Sequence, residues 1–153
     1  MQFNCASVDK TQELAAKLGE ELRAGDVLIL SGDLGAGKTT FTQGIAKGMQ
    51  VRAGIISPTF VIARNHPSLI SGPNLVHIDA YRLNSADELY DLDIESDLGD
   101  SVLVAEWGDG FVEEFSDSYL RIMINRGTGE RDESRAITIE PHGPRWEGWE
   151  LTV

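Results

Sequence analysis

The chain has 153 residues, 41% hydrophobic and 25% charged, enough for one domain with a single core and little for a second, so a single domain over 1–153 is expected. No run approaches the roughly 20 apolar residues that span a bilayer, and the first ten residues lack the basic-then-apolar pattern of a secretory signal. The formal charge of -12 is unevenly spread, and its acidic segment disfavours direct contact with nucleic-acid phosphates.

Cys5 is the only cysteine, which excludes an internal disulfide and makes a reducing cytoplasm the natural compartment. It reads as a small buried apolar residue rather than a nucleophile. Asp9 followed by Gln12 resembles a capping pair. Leu14, Ala15, Leu18 and Leu22 then recur at helical spacing, with Gly25 suited to the helix end. Residues 27–30 are wholly apolar, the pattern of a buried parallel strand. A glycine-rich loop follows, and 40–49 reads as a second helix. Pro58 marks a break before an apolar strand at 60–63. Two prolines, a glycine and two serines make 65–74 a surface loop.

Residues 75–79 form another short apolar strand, closing on Asp79. Ser85 and Glu88 match a capping box that opens an acidic helix through Tyr90. Residues 102–106 repeat the earlier pattern and close on Glu106. At 119–125, Leu120, Ile122 and Ile124 alternate with Arg121, Met123 and Asn125, predicting a half-exposed strand with 136–140 as its antiparallel partner. Strand-helix alternation early and a hairpin late predict an α/β fold, mostly parallel, with an antiparallel C-terminal edge. Trp146 and Trp149 read as a packing C-terminus. His66, His77 and His142 lack metal-ligand spacing and read as ordinary loop and strand residues.

The charge excess is local. Residues 83–120 hold 12 acidic side chains and no Lys or Arg, whereas the rest of the chain balances 13 acids against 13 bases. That segment reads either as a solvated acidic face or as a protein-docking surface.

Gly32-Asp33-Leu34-Gly35-Ala36-Gly37-Lys38-Thr39 satisfies GxxxxGK[ST], the Walker A pattern, in full. Its glycines allow backbone N–H groups to turn inward around phosphate oxygens. Lys38 is expected to reach the β- and γ-phosphates and the Thr39 hydroxyl to bind Mg²⁺. The motif follows an apolar strand and opens a helix, the context that phosphate binding requires. The fold class is therefore a three-layer P-loop NTPase fold. Mg²⁺ needs a further oxygen ligand from an acid at a neighbouring strand end, and Asp79 and Glu106 both qualify. Ser57-Pro58-Thr59-Phe60 lies where P-loop proteins keep a switch segment; by spacing alone it is equally an ordinary turn.

Guanine specificity is unsupported: no lysine follows an asparagine in an Asn-Lys-x-Asp element, and no Asp-x-x-Gly switch occurs. ATP is the default nucleotide. A small-molecule kinase remains the alternative, because residues 121–135 are basic, although the acidic segment offers no Arg-rich lid. A module that only senses ATP or ADP is the third possibility.

Together, Gly32 to Phe41, Ser57-Pro58-Thr59-Phe60, His77-Ile78-Asp79-Ala80-Tyr81-Arg82-Leu83 and Ala105-Glu106-Trp107 resemble the TsaE (YjeE) family. These four motifs fall in the right order across most of the chain; the part beyond Trp107 matches loosely. The resemblance implies an ATPase of low turnover, with Mg²⁺ held by Thr39 and Glu106 and with Lys38, Asp79 and Glu106 as the catalytic set. It implies that Asp79 orients the attacking water and that Ser57 and Thr59 belong to a switch. The implied nucleotide-binding set is Asp33, Leu34, Gly35, Ala36, Gly37, Lys38, Thr39 and Thr40, with Thr11 near the base. It further implies protein partners, TsaB and TsaD. Together they make threonylcarbamoyladenosine at position 37 of tRNAs reading codons that begin with A, with tRNA engaged only through the complex.

Overall fold

A computed structural model of the chain describes residues 1–33, 35–52, 63–79, 99–106, 116–127, 129 and 132–153. Leu34, the expected switch residues Ser57 and Thr59, strand positions 60–62, the acidic helix at 85–90 and Trp107 lie outside the described residues.

The elements run β1 (Gln2–Cys5), α1 (Val8–Glu21), β2 (Val27–Ser31), α2 (Lys38–Met49), β3 (Ala63–His66), β4 (Asn74–Asp79), β5 (Ser101–Glu106), β6 (Tyr119–Arg126) and β7 (Arg135–His142), ending in a 3-10 turn at Pro144–Trp146. The strands form one sheet in the order β1-β7-β6-β2-β5-β4-β3. Its centre, β6-β2-β5-β4, is parallel, and β7 pairs antiparallel with β6 at the C-terminal side. This is the P-loop α/β architecture that the sequence predicts.

Among the described residues, antiparallel pairing also ends the sheet on the other side, which the sequence reading did not anticipate. β3 pairs with β4 and takes Asn65 and His66 out of the expected surface loop. Arg64 and Asn65 hid the strand, because a polar edge strand lacks the apolar run of a central one. β1 was missed for the same reason; it is a short strand laid against β7.

The helix starts also shift. Ser7, not Asp9, caps α1: its hydroxyl accepts the Lys10 N–H at 3.2 Å, while Asp9 sits in the first turn and complements the helix dipole. α1 ends at Glu21, so Gly25 belongs to the turn before β2, where its N–H donates to the Ser101 carbonyl. α2 begins at Lys38, two residues before the predicted start, and ends at Met49, with Gln50 as a C-cap in the left-handed region.

Leu14, Leu18, Phe41 and Ile45 of the helices pack with Leu28, Leu30, Val104 and Ile122 of the sheet in one buried cluster. Each such side chain contributes roughly 1.5–3 kcal/mol relative to exposure. Val27, Ile29, Ile78, Leu103 and Ala105, which alternate with these, are buried as well. The two helices meet through backbone. A Cβ at Gly44 would strike Ala15, at Gly48 the Ala16 carbonyl and at Gly19 the Ile45 carbonyl. At the C-terminus, buried Trp146 meets Trp149 edge-on, and Arg145 lies over the Trp146 ring while pairing with Asp26 at 3.0 Å. Among the described residues no helix is long and apolar enough to cross a membrane.

Candidate nucleotide site

β2 lies at the centre of the sheet between β5 and β6, and its carboxyl end runs into the glycine-rich loop. Because β2, β4 and β5 are parallel, their ends open on the same side. Asp79 and Glu106 are register partners across β4 and β5, and Glu106 is also opposite Leu30 of β2. Both acids therefore reach the crevice beside the loop, where ligands of open α/β sheets bind.

Two glycines shape that loop. Gly32 has φ +153°, and a Cβ there would come within 2.5 Å of the Ile124 carbonyl oxygen. Gly37, at φ +108°, is the N-cap of α2, and no side chain caps the helix. The uncapped N-terminus is the electrostatic arrangement that phosphate oxygens complete. Lys38 is buried, and its ammonium donates to the carbonyls of Gly32 at 2.7 Å and Asp33 at 3.0 Å. Burial pushes its pKa below the ordinary lysine value, opposed by the charges of Glu106, Asp33 and Asp79.

Next to Lys38, the Thr39 hydroxyl donates to Oε1 of Glu106 at 3.4 Å. The second carboxylate oxygen, Oε2, lies 2.9 Å from Nε2 of His77, and both side chains are buried. A hydroxyl and a carboxylate form an oxygen-only donor set suited to a hard cation. Among the described residues no group of three or more His, Cys, Asp or Glu could hold an ion. A metal at Thr39 and Glu106 would thus draw further ligands from phosphate and water, the usual habit of Mg²⁺. The residues present fit that ion.

The hairpin β6-β7 reaches the same loop. Arg135 donates from Nε to the Ala36 carbonyl at 2.7 Å, and Arg126, its register partner, flanks Gly35. Thr11 is buried and donates from Oγ1 to the Ser7 carbonyl at 3.2 Å. With Gly37, Thr40, Glu133 and Arg135 it lines a small recess beside the loop. A cleft of about 370 Å³ opens nearby, lined by Asn4, Asn125, Arg126 and Ser134 among others.

The structure thus gathers Thr11, Gly37, Lys38, Thr39, Thr40, Asp79 and Glu106 around one loop, with Asp33, Gly35 and Ala36 within it. Sequence reasoning gave two further residues of this cluster no role, leaving open whether the C-terminal hairpin brings an Arg to the loop. Arg135 had no motif to mark it. His77 did carry a signal: it stands two residues before Asp79 on a strand, so it shares a face with Asp79 and with the register partner Glu106.

A central strand, a glycine loop and a helix opening on Lys-Thr, with strand-end acids alongside, define a P-loop α/β protein. A family model described as "Threonylcarbamoyl adenosine biosynthesis protein TsaE" matches residues 5–137, and the chain belongs to the TsaE family. The tRNA threonylcarbamoyladenosine biosynthesis protein TsaE of Streptomyces coelicolor is 52% identical over 144 residues, covering 93% of this chain and 97% of that protein. Its namesake in Bacillus subtilis is 35% identical over 147 residues, covering 96% and 89%. The crystal structure of Bacillus subtilis YdiB, at 31% identity, matches the fold with a TM-score of 0.74, covering 96% of this chain and 88% of that one.

Proposed function

We propose that this chain is a Mg²⁺-dependent ATP-binding protein with slow ATPase activity, serving the TsaB and TsaD machinery that makes threonylcarbamoyladenosine at position 37 of tRNA. The observation that carries the reading is the convergence of Lys38, Thr39 and Glu106, with the Thr39 hydroxyl on the Glu106 carboxylate at 3.4 Å. Family membership supplies the pathway.

In this reading Lys38 exchanges the Gly32 and Asp33 carbonyls for the β- and γ-phosphate oxygens of ATP. The positive end of α2 adds the uncapped N–H groups of its first turn. Thr39 and Glu106 hold Mg²⁺, which when bound neutralises phosphate charge. Asp79, register partner of Glu106, orients the attacking water by accepting its hydrogen bond. Ser57 and Thr59 form the switch element that reports the nucleotide state to the protein partners. With a net charge of -12, the chain contacts those proteins directly and tRNA only through them, and it works in the cytoplasm away from membranes.

Steady-state phosphate release tests the proposal. Slow release without an acceptor, raised by TsaB and TsaD, supports it. Release or transfer that depends on a small-molecule acceptor makes the chain a kinase instead. No release with or without partners reduces it to a nucleotide sensor. Lys38→Ala is expected to abolish nucleotide binding, and Glu106→Ala to weaken Mg²⁺-dependent hydrolysis.

A further inference from the structure

We infer that His77 is a positioning residue that tethers one oxygen of the Glu106 carboxylate and so leaves the other, beside the Thr39 hydroxyl, to a divalent cation. The inference rests on the proposed reading of Glu106 as a metal ligand, and it concerns a histidine to which the sequence reading assigned no role in the site.

The geometry follows from the sheet. Asp79 and Glu106 are register partners, and His77 precedes Asp79 by two residues, so the pleat sets all three on one face. His77 is fully buried, and its Nε2 lies 2.9 Å from Oε2 of Glu106. An ionised carboxylate only accepts, so Nε2 carries the hydrogen of this bond. Nδ1 is buried and, among the described residues, has no hydrogen-bond partner. Among the described residues, the ring's one hydrogen bond is the one to Glu106.

Without His77, Oε2 would lose its donor in a buried setting, and nothing in the pair would hold Oε1 beside the Thr39 hydroxyl. Outer partners of this kind orient metal-binding carboxylates and raise metal affinity.

The test uses the full chain loaded with ADP, with Mn²⁺ as the metal probe and free Mn²⁺ read by electron paramagnetic resonance. His77→Leu is expected to weaken Mn²⁺ binding about tenfold or more while leaving metal-free ADP affinity within about twofold. His77→Gln, whose amide N–H substitutes for Nε2, is expected to keep most of the Mn²⁺ affinity. In a Glu106→Ala background, His77→Leu should cause no further loss. Unchanged Mn²⁺ affinity in a folded His77→Leu chain overturns the inference, as does an equal loss of metal-free ADP binding. If His77→Leu does not fold, His77→Gln is compared with His77→Asn, whose amide is too short to reach Glu106, and equal Mn²⁺ affinities overturn it. Wild-type Mn²⁺ affinity in Glu106→Ala alone would instead remove the metal assignment on which the inference stands.

Discussion

Arg135, the first residue of β7, donates through Nε to the carbonyl oxygen of Ala36 at 2.7 Å, across 99 positions of sequence. Its Nη1 is held in turn by the carbonyls of Ser134 at 2.8 Å and Asp132 at 3.1 Å. The guanidinium therefore bolts the C-terminal hairpin to the phosphate loop. A hydrogen bond from a charged donor is worth about 1.5–3 kcal/mol, so Arg135→Ala is expected to lower ATP affinity roughly tenfold, measured by isothermal titration. Arg135→Lys should fall between, since an ammonium cannot keep the forked geometry. Wild-type affinity in Arg135→Ala would remove the hairpin from the site.

Gly48→Ala sets two effects against each other. Alanine is the better helix former by about 1 kcal/mol, so propensity alone predicts a gain. The added Cβ would overlap the Ala16 carbonyl, which is backbone and cannot turn aside. Overpacking is expected to win, with a net loss of about 1–3 kcal/mol seen as a lower urea midpoint at unchanged slope. A raised midpoint would show that the helices part easily.

Cys5 gives the stability a pH dependence. Burial holds its thiol above the ordinary value, against a smaller opposing effect of its hydrogen bond with Thr11. Well below the ordinary thiol value both states stay protonated and nothing changes. As pH rises past it, the unfolded chain ionises first, the native state binds more protons, and stability falls. Between about pH 7.5 and about pH 9.5 the urea midpoint of the wild type should therefore drop more than that of Cys5→Ala. Parallel slopes would place the thiol in a solvent-like setting.

The acidic segment 83–120 is expected to contribute to partner docking. Reversing several of its acids, such as Asp87, Glu88 and Asp91, should abolish co-elution with TsaB and TsaD on size exclusion while leaving ATP affinity unchanged. Intact complexes after that reversal would return the segment to a merely solvating role.

Much of the site was legible because its chemistry is written in short, local spacing. GxxxxGK[ST] fixes a loop by itself, and an apolar run that stops on an acid announces a strand end. Residues whose roles depend on pairing between distant strands were harder. His77 needed the β4-β5 register before it could be placed against Glu106, and Arg135 needed β7 to lie beside β6. Edge strands were least visible: among the described residues, Gln2–Cys5 and Ala63–His66 have one strand neighbour each, and their sequences carry polar residues that mimic loops. The cap of α1 was misplaced because Asp9 and Ser7 are both good capping residues, and only the chain's extended entry at Ser7 decides between them.

The glycine seam between α1 and α2 bears on how such a site is spaced. At Gly48 and Gly19 the two backbones approach each other directly, and at Gly44 the Ala15 methyl fills the gap. Packing this close leaves no room for added volume, so it fixes the spacing of α1 and α2. That spacing in turn sets how far Thr11 of α1 stands from Thr40 of α2, the two threonines that line the recess beside the phosphate loop.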